Sequence, residues 1–259
     1  QSKSIRILHF SDLHLMSYRK WQLRELSKLA DLKPDFVIST GDFIASNKSI
    51  EPLLDSLKHL LKIPGSFVFG SNDYYAPTFK NPFSYLKKDD GKRKLGKRLN
   101  TDTLREKLVT AGWFDLNNNS IETKIKNVKI SLLGTDDAHL NLDKYEKITQ
   151  RDFGTADLKI GVTHAPYLRI ISKMAADDLD IVFAGHTHGG QVRIPWFGGS
   201  RSLTTNCDLP NWRSRGLTKL SSEPWLNVSA GVGYSPFAPI RIACAPEVSI
   251  IELTASDTL

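Results

Sequence analysis

Three apolar runs near the start of the chain each end in a polar cluster, and an amphipathic stretch separates each run from the next. SIRILHF (residues 4–10) leads into SDLH, DFVIST (35–40) into GDF, and SFVF (66–69) into GSNDYY. Between the first two, Trp21, Leu23, Leu26, Leu29 and Ala30 recur at helical spacing over residues 21–32, and Pro34 ends the helix. Between the second and third, Leu53, Leu54, Leu57, Leu60 and Leu61 mark another helix, closed by Pro64 and Gly65. Strand–helix repeats in this order predict an α/β fold with parallel strands and crossover helices. Open α/β sheets build their sites at the carboxyl ends of strands, so the polar clusters are the candidate functional residues.

The middle of the chain changes character. Residues 74–100 hold prolines, aromatics and many basic side chains, and read as an irregular excursion over the site. Residues 101–112 read as a helix. IETKIK and VKISLLG alternate on either side of Asn127 and predict an antiparallel hairpin. LKIGVTH is a further strand, followed by a helix over 167–177, and DIVFAGHTH is the next strand and turn. The tail (QVRIPW, WLNVSAGVG, PIRIACAPEVSIIELT) reads as strand-rich. With no internal repeat and no linker, residues 1–259 are expected to form a single domain.

Charge is concentrated. The window from Lys80 to Lys107 carries ten basic and four acidic residues, so it holds +6 of the chain's +7. Such a window reads either as a patch for an anionic partner (phosphates, nucleic acid, an acidic membrane surface) or as a solvated loop. No apolar run reaches the roughly 20 residues of a membrane helix. Because residue 1 is Gln rather than Met, the sequence is compatible with removal of an upstream signal or anchor. Cys207 and Cys244 are not a close metal-type pair, and read as one disulfide or two thiols.

The strand ends supply Asp12 and His14, Asp42, Asn72 and Asp73, His164, and His186 and His188. Carboxylate, imidazole and amide donors are the ligand types suited to Mn, Fe or Zn. A single Asp after a strand is ordinarily a cap, and a single buried His a hydrogen-bonded core residue. Ligand types at five successive strand ends make a metal site the better reading. AGHTHGGQ offers two imidazoles on one turn, fenced by Gly185, Gly189 and Gly190, which let backbone approach an ion or a phosphate.

SDLH, TGDF, GSND, VTHAP and GHTHGGQ, in this order, resemble the motifs of the calcineurin-like metallophosphoesterases (D-x-H, G-D, G-N-H-D/E, a lone H, G-H-x-H), over residues 11–191. The tail VSAGVGYSPFAPIRIACAPEVSIIEL resembles the envelope-associated bacterial branch, and GSNDYYAPTFKNP, TNC and RSRGL resemble an actinobacterial subgroup of it. The resemblance implies a four-layer α-β-β-α sandwich of two mixed sheets flanked by helices. It also implies two divalent or trivalent metal ions, the first held by Asp12, His14, Asp42 and His188. The second would be held by Asp42, Asn72, His164 and His186, with Asp42 bridging. Two such ions would activate a shared water as nucleophile and stabilise the phosphoryl oxygens. The branch points to the cytoplasmic membrane surface or its outer face; a cytosolic enzyme also fits.

One departure stands out. The family's histidine after the ligand asparagine is missing in Gly70-Ser71-Asn72-Asp73. An ungapped match puts Ser71 on the asparagine and Asn72 on the histidine. A one-residue shift, preferred here because an amide oxygen is the better neutral ligand, keeps Asn72 as ligand and puts Asp73 in the histidine's place. His139 or Tyr74 is then a candidate substitute acid. Asp136, Asp137 and His139 in GTDDAH line the pocket or form a capped turn. Tyr74, Asn206, Arg213 and Arg215 are candidate contacts for an anionic substrate, and Trp196 and Phe197 form a hydrophobic rim for a lipid or base, or pack in the core.

The expected function is therefore phosphodiester or pyrophosphate hydrolysis, on a phosphate-containing substrate that can be lipid- or nucleotide-linked. A nuclease or protein phosphatase is the alternative within this class, and a metal-binding scaffold with little catalysis is the alternative outside it.

Overall fold

The computed structural model describes residues 4–79, 95–148, 155–196, 199–219 and 222–254. The chain begins with β1 (Ile5–Phe10), α1 (Lys20–Ser27), β2 (Phe36–Ser39), α2 (Ile50–Leu57) and β3 (Gly65–Phe67), and then the one-turn α3 (Ser71–Tyr74). These strands lie in parallel, as the alternating pattern predicts: Ile7 pairs with Phe36, and Val37 with Gly65. The predicted helix over 21–32 is split. α1 stops at Ser27 and a 3-10 turn covers Leu29–Leu32. Trp21 faces outward, while Gln22 is buried with its amide donating to the Leu13 carbonyl at 2.5 Å.

After α4 (Thr101–Thr110), capped by the Asn100 side chain, β4 (Trp113–Asp115) joins the sheet beside β3. The predicted hairpin is β5 (Asn119–Ile125) with β6 (Val128–Gly134). β7 (Leu158–Thr163), α5 (Leu168–Ala176) and β8 (Ile181–Ala184) follow, then the small hairpin β9 (Arg193–Trp196) and β10 (Gly199–Ser202). β11 (Gly216–Thr218) and β12 (Trp225–Val228) complete a second sheet of order β11-β12-β8-β7-β6-β5. β13 (Ser249–Leu253) returns to the first sheet antiparallel to β1, giving β13-β1-β2-β3-β4. The stretch 239–248, expected to be strand, contributes only an isolated bridge between Ile242 and Val192.

The period-two alternation of the strands sorts their side chains into layers. Ile5, Ile7, Phe36 and Ile38 of the first sheet meet Ile160, Val162, Ile181 and Phe183 of the second in one apolar cluster between the sheets. Leu8, Phe10, Val37 and Phe67 turn the other way and pack under Leu26, Leu53, Leu57, Leu104 and Leu108 of the helices. On the far side, Val182, Ala184, Leu226 and Val228 are covered by Ile170, Ile171 and Met174 of α5. The result is the four-layer α-β-β-α sandwich of two mixed sheets. The carboxyl ends of β1, β2, β3, β7 and β8 all open on one edge of it.

Candidate metal centre

The loops leaving β1 and β2 run side by side, because the Asp12 N–H donates to the Gly41 carbonyl and the His14 N–H to the Asp42 carbonyl, both at 2.9 Å. From the second sheet, the Gly185 N–H donates to the His164 carbonyl at 2.8 Å, joining the turns after β7 and β8. The two pairs of loops meet where the His186 N–H reaches Asp12 Oδ1 and Oδ2 at 3.2 and 3.0 Å. Two glycines permit that contact. A Cβ on Gly185 would overlap Ser11 and stand 2.7 Å from Asp12 Oδ2, and one on Gly70 would overlap Asp42 and stand 2.5 Å from the His164 ring.

Backbone strain collects at the same place. Asp12, His14, Asp42, His186 and His188 all adopt positive φ, between 41° and 68°. Outside glycine this left-handed region is sparsely populated and survives only where surrounding contacts enforce it, typically at functional sites.

The donor atoms of Asp12, His14 and His188 lie within 4.8 Å of one another, as do those of Asp12, Asp42 and His164. Asp42 Oδ2 is 3.3 Å from His14 Nε2 and 3.6 Å from His164 Nε2. His164 presents Nε2 because its Nδ1 is held by the Thr40 carbonyl at 2.7 Å, a contact of the kind that orients metal-ligating imidazoles. His186 Nδ1 is 3.3 Å from His164 Nε2. His14 and His188 bring their Nε2 atoms to 3.0 Å, and His14 Nδ1 is buried with no hydrogen-bond partner among the described residues.

Electrostatics favours a cation here. Burial holds both the His14 and the His188 imidazole below their ordinary range, in His14 against the pull of Asp42 and Asp12, so two neutral rings face each other. Burial would also depress His164, but Asp42, Asp12 and Asp137 together overcome it and hold that ring at about 9. The buried carboxylates thus draw positive charge into the site, and the neutral rings of His14 and His188 supply lone pairs. These residues fit a metal site of mixed carboxylate and imidazole donors.

The pocket over this cluster is lined by His14, Asp42, Asn72, His139, His186, His188 and Asn206 among others. Asn72 Nδ2 stands 2.8 Å from Asp42 Oδ2, so its amide must turn over for the oxygen to serve as a ligand. His139 packs its ring 4.5 Å from that of His186, with Nδ1 at 3.0 Å from the Tyr167 hydroxyl. Asn206 meets His186 Nε2 through its backbone carbonyl at 3.1 Å.

Other expectations are corrected. Asp73 does not take the missing histidine's place. It is fully buried, away from the pocket, and its oxygens accept the N–H groups of Asp42, Phe43, Ile44 and Gly70. Tyr74 turns from the pocket and donates to Asp136 at 2.7 Å; its neighbour Tyr75 lines the pocket instead. Arg213 is buried in an ion pair with Glu223 at 2.7 Å and so offers nothing to a substrate. Arg215 is half-buried and is not among the lining residues. Asp136 and Asp137 form the capped turn, with Asp137 accepting the His139 N–H at 3.0 Å. Trp196 is 54% exposed rather than packed in the core, and Phe197 lies outside the described residues. Cys244 is a buried free thiol, so it is not joined to Cys207. Most of the basic excursion, residues 80–94, also lies outside the described residues.

Sequence reasoning missed Ser71, Tyr75, Gln191 and Ser235 as lining residues, and Arg241, whose guanidinium lies 3.4 Å from His188 Nδ1. No local pattern marks them; Arg241 reaches the site only because it binds the carbonyls of Ala230, Gly231 and Gly233.

Comparison with known proteins agrees with this geometry. The sequence profile described as calcineurin-like phosphoesterase matches residues 5–190. The phosphodiesterase YaeI of Escherichia coli is 23% identical, over 96% of this chain and 82% of its own. The UDP-2,3-diacylglucosamine pyrophosphatase LpxG of Chlamydia trachomatis is 28% identical, over 95% of this chain and 83% of its own. The crystal structure of TT1561 of Thermus thermophilus superposes with a TM-score of 0.51 at 12% identity, covering 88% of this chain and 90% of that one, a likeness of fold.

Proposed function

The chain belongs to the calcineurin-like phosphoesterase family, and from that premise we propose that it hydrolyses a phosphodiester or pyrophosphate bond with two metal ions of the Mn, Fe or Zn kind. The observation that carries this reading is the pair of overlapping donor sets, Asp12–His14–His188 and Asp12–Asp42–His164, with Asp42 Oδ2 within 4 Å of an imidazole of each. Asp42 is the bridging ligand in this reading, Asn72 and His186 complete the second set, and His164 is oriented by Thr40. Bound there, the ions would activate water toward phosphorus near neutral pH and offset the charge on the phosphoryl oxygens.

The remaining steps fall to this chain's own side chains. Asn206 and Asn72, at the pocket wall, donate amide N–H groups to phosphoryl oxygens. His139, steadied at Nδ1 by Tyr167, carries the proton that the leaving oxygen takes, in place of the histidine absent beside Asn72. The names of YaeI and LpxG, a phosphodiesterase and a pyrophosphatase, support a diester or anhydride over a monoester.

The test is hydrolysis of bis(p-nitrophenyl) phosphate and of p-nitrophenyl phosphate with Mn added, beside Asp42→Asn. Diester turnover that exceeds monoester turnover and drops at least about 10³-fold in the variant supports the reading. Protein loaded with two metals that turns over no faster than the variant points to the scaffold reading, which the absent histidine favours.

A further inference from the structure

We propose that the mouth of the pocket docks on an anionic lipid bilayer, which presents the phosphate ester to the site from the membrane surface; the second half rests on the hydrolytic reading above.

Isolated apolar side chains on a surface are ordinary, but contiguous ones mark an interaction site. Here they sit on neighbouring, hydrogen-bonded backbone segments that begin at the pocket wall. Gln191, a lining residue, donates through Nε2 to the carbonyls of Ala238 and Ile240 at 2.5 and 2.9 Å. The Ile242 N–H then donates to the Gln191 carbonyl at 2.9 Å, and the Arg193 N–H to the Ile242 carbonyl at 3.0 Å. Along this seam Ile240, Ile242, Ile194 and Trp196 are exposed, Ile240 by 61%. At the opposite end Phe237 meets Phe79 edge-on at 6.2 Å, next to the lining residue Thr78.

The chemistry of the rim selects the partner. Ile194 stands opposite Arg201 in the β9–β10 register, and Trp196 follows two residues later on the same face. The Arg201 guanidinium lies over the Trp196 ring at 4.5 Å. An aromatic ring beneath a cation, flanked by aliphatic tips, suits the boundary between acyl chains and charged headgroups. Lys97 and Arg98 are exposed on the segment that pairs with Tyr75 and Ala76 of the pocket, and the whole chain carries +7. The bilayer complement is therefore anionic. Nucleic acid fits less well: the Trp196 ring is already covered by Arg201, Phe79 and Phe237 pack edge-on against each other, and Ile194, Ile240 and Ile242 offer bases nothing to stack on. No described helix is long and apolar enough to cross a membrane.

Flotation of the full chain with vesicles of phosphatidylcholine plus phosphatidylglycerol, beside vesicles of phosphatidylcholine alone, tests the proposal. Binding is expected on the anionic vesicles only, weakening as salt rises. The triple substitution Ile194→Ser, Trp196→Ser, Ile240→Ser should cut it at least about tenfold, and Arg201→Gln about fivefold. Hydrolysis of the soluble aryl diester should stay at the parent's level in both, since none of these residues lines the pocket, and that level also certifies their folding. A parent chain that ignores anionic vesicles, or binds only a DNA duplex, overturns the proposal, as does a triple variant that floats like the parent. Vesicle binding with these variant effects but no aryl-diester turnover upholds the docking face and removes the hydrolytic reading instead.

Discussion

The carboxylate of Asp73 holds the backbone of Asp42: its Oδ2 accepts the Asp42 N–H at 2.8 Å while its Oδ1 accepts the Phe43 N–H, also at 2.8 Å. Asp42 sits at φ 54°, and those bonds keep it there. The acid that sequence reading placed at the substrate therefore acts one layer below, on the loop that presents a ligand.

Removing that anchor should cost both stability and metal. Asp73→Ala leaves buried N–H groups without an acceptor, a loss of about 3 kcal/mol, which lowers Tm by roughly 6 °C in a chain of this size. Metal retention should fall with it, since Asp42 is freed to relax from its strained conformation. Calorimetry and metal analysis of the purified variant check this; an unchanged Tm with full metal content would sink the anchoring role.

Gly70 makes a sharper case because nothing but a methyl group changes. A Cβ there would overlap Asp42 and crowd His164, two residues on different sheets. Gly70→Ala should therefore drive the two donors apart, costing about 1–3 kcal/mol by overpacking and lowering turnover roughly 10²-fold. Isothermal metal titration beside aryl-diester kinetics reads both effects. Turnover at the parent's level would mean that the loop gives way without disturbing the ligands.

The contrast between Asn72 and Asp73 also shows what the sequence could disclose. Residue types at strand ends are local information, and Asp12, His14, Asp42, His164, His186 and His188 do gather in one cluster, of which His14, Asp42, His186 and His188 line the pocket. Direction is not local. Successive residues of the one-turn α3 point about 100° apart, so a register error of one swaps the pocket for the core. It exchanged Tyr75 for Tyr74 in the same way. Arg213 read as a substrate contact because its partner, Glu223, lies beyond the next strand. The pairing of β13 with β1 joins the two ends of the chain, and no window of sequence contains it.

His139 can be tested through the leaving group. A departing aryl oxygen needs little protonation, whereas an alkyl oxygen needs a proton in the transition state. His139→Gln should thus lower hydrolysis of an alkyl phosphodiester by about 10²–10⁴-fold and of the activated aryl diester by less than about tenfold. Tyr167→Phe, which removes the hydroxyl at His139 Nδ1, should show the same pattern more weakly. Equal losses on both substrates would assign His139 to packing against His186 and leave proton delivery to another group.

His9 offers a prediction about stability that is independent of turnover. It lies between the sheets, with Nε2 at 3.0 Å from Thr40 Oγ1, Nδ1 at 2.7 Å from Asn227 Nδ2, and its ring against Phe183. Burial lowers its pKa to about 3. Above pH 6.5 the ring is neutral whether the chain is folded or not, so its contribution to stability is fully present. Between 6.5 and about 3 only the unfolded chain takes up the proton, and the contribution is lost as pH falls, by up to about 1.4 kcal/mol per pH unit. His9→Gln keeps a donor and an acceptor but cannot titrate. The parent's advantage over it at pH 7.5 should therefore shrink, and then reverse, as pH is lowered to 4.5. The other titrating groups are common to both chains and cancel in the difference. Urea unfolding of both proteins across that range reads the effect directly. Parallel stability curves would show that His9 accepts a proton in the folded state, which a ring wedged between Thr40, Asn227 and Phe183 has no room to solvate.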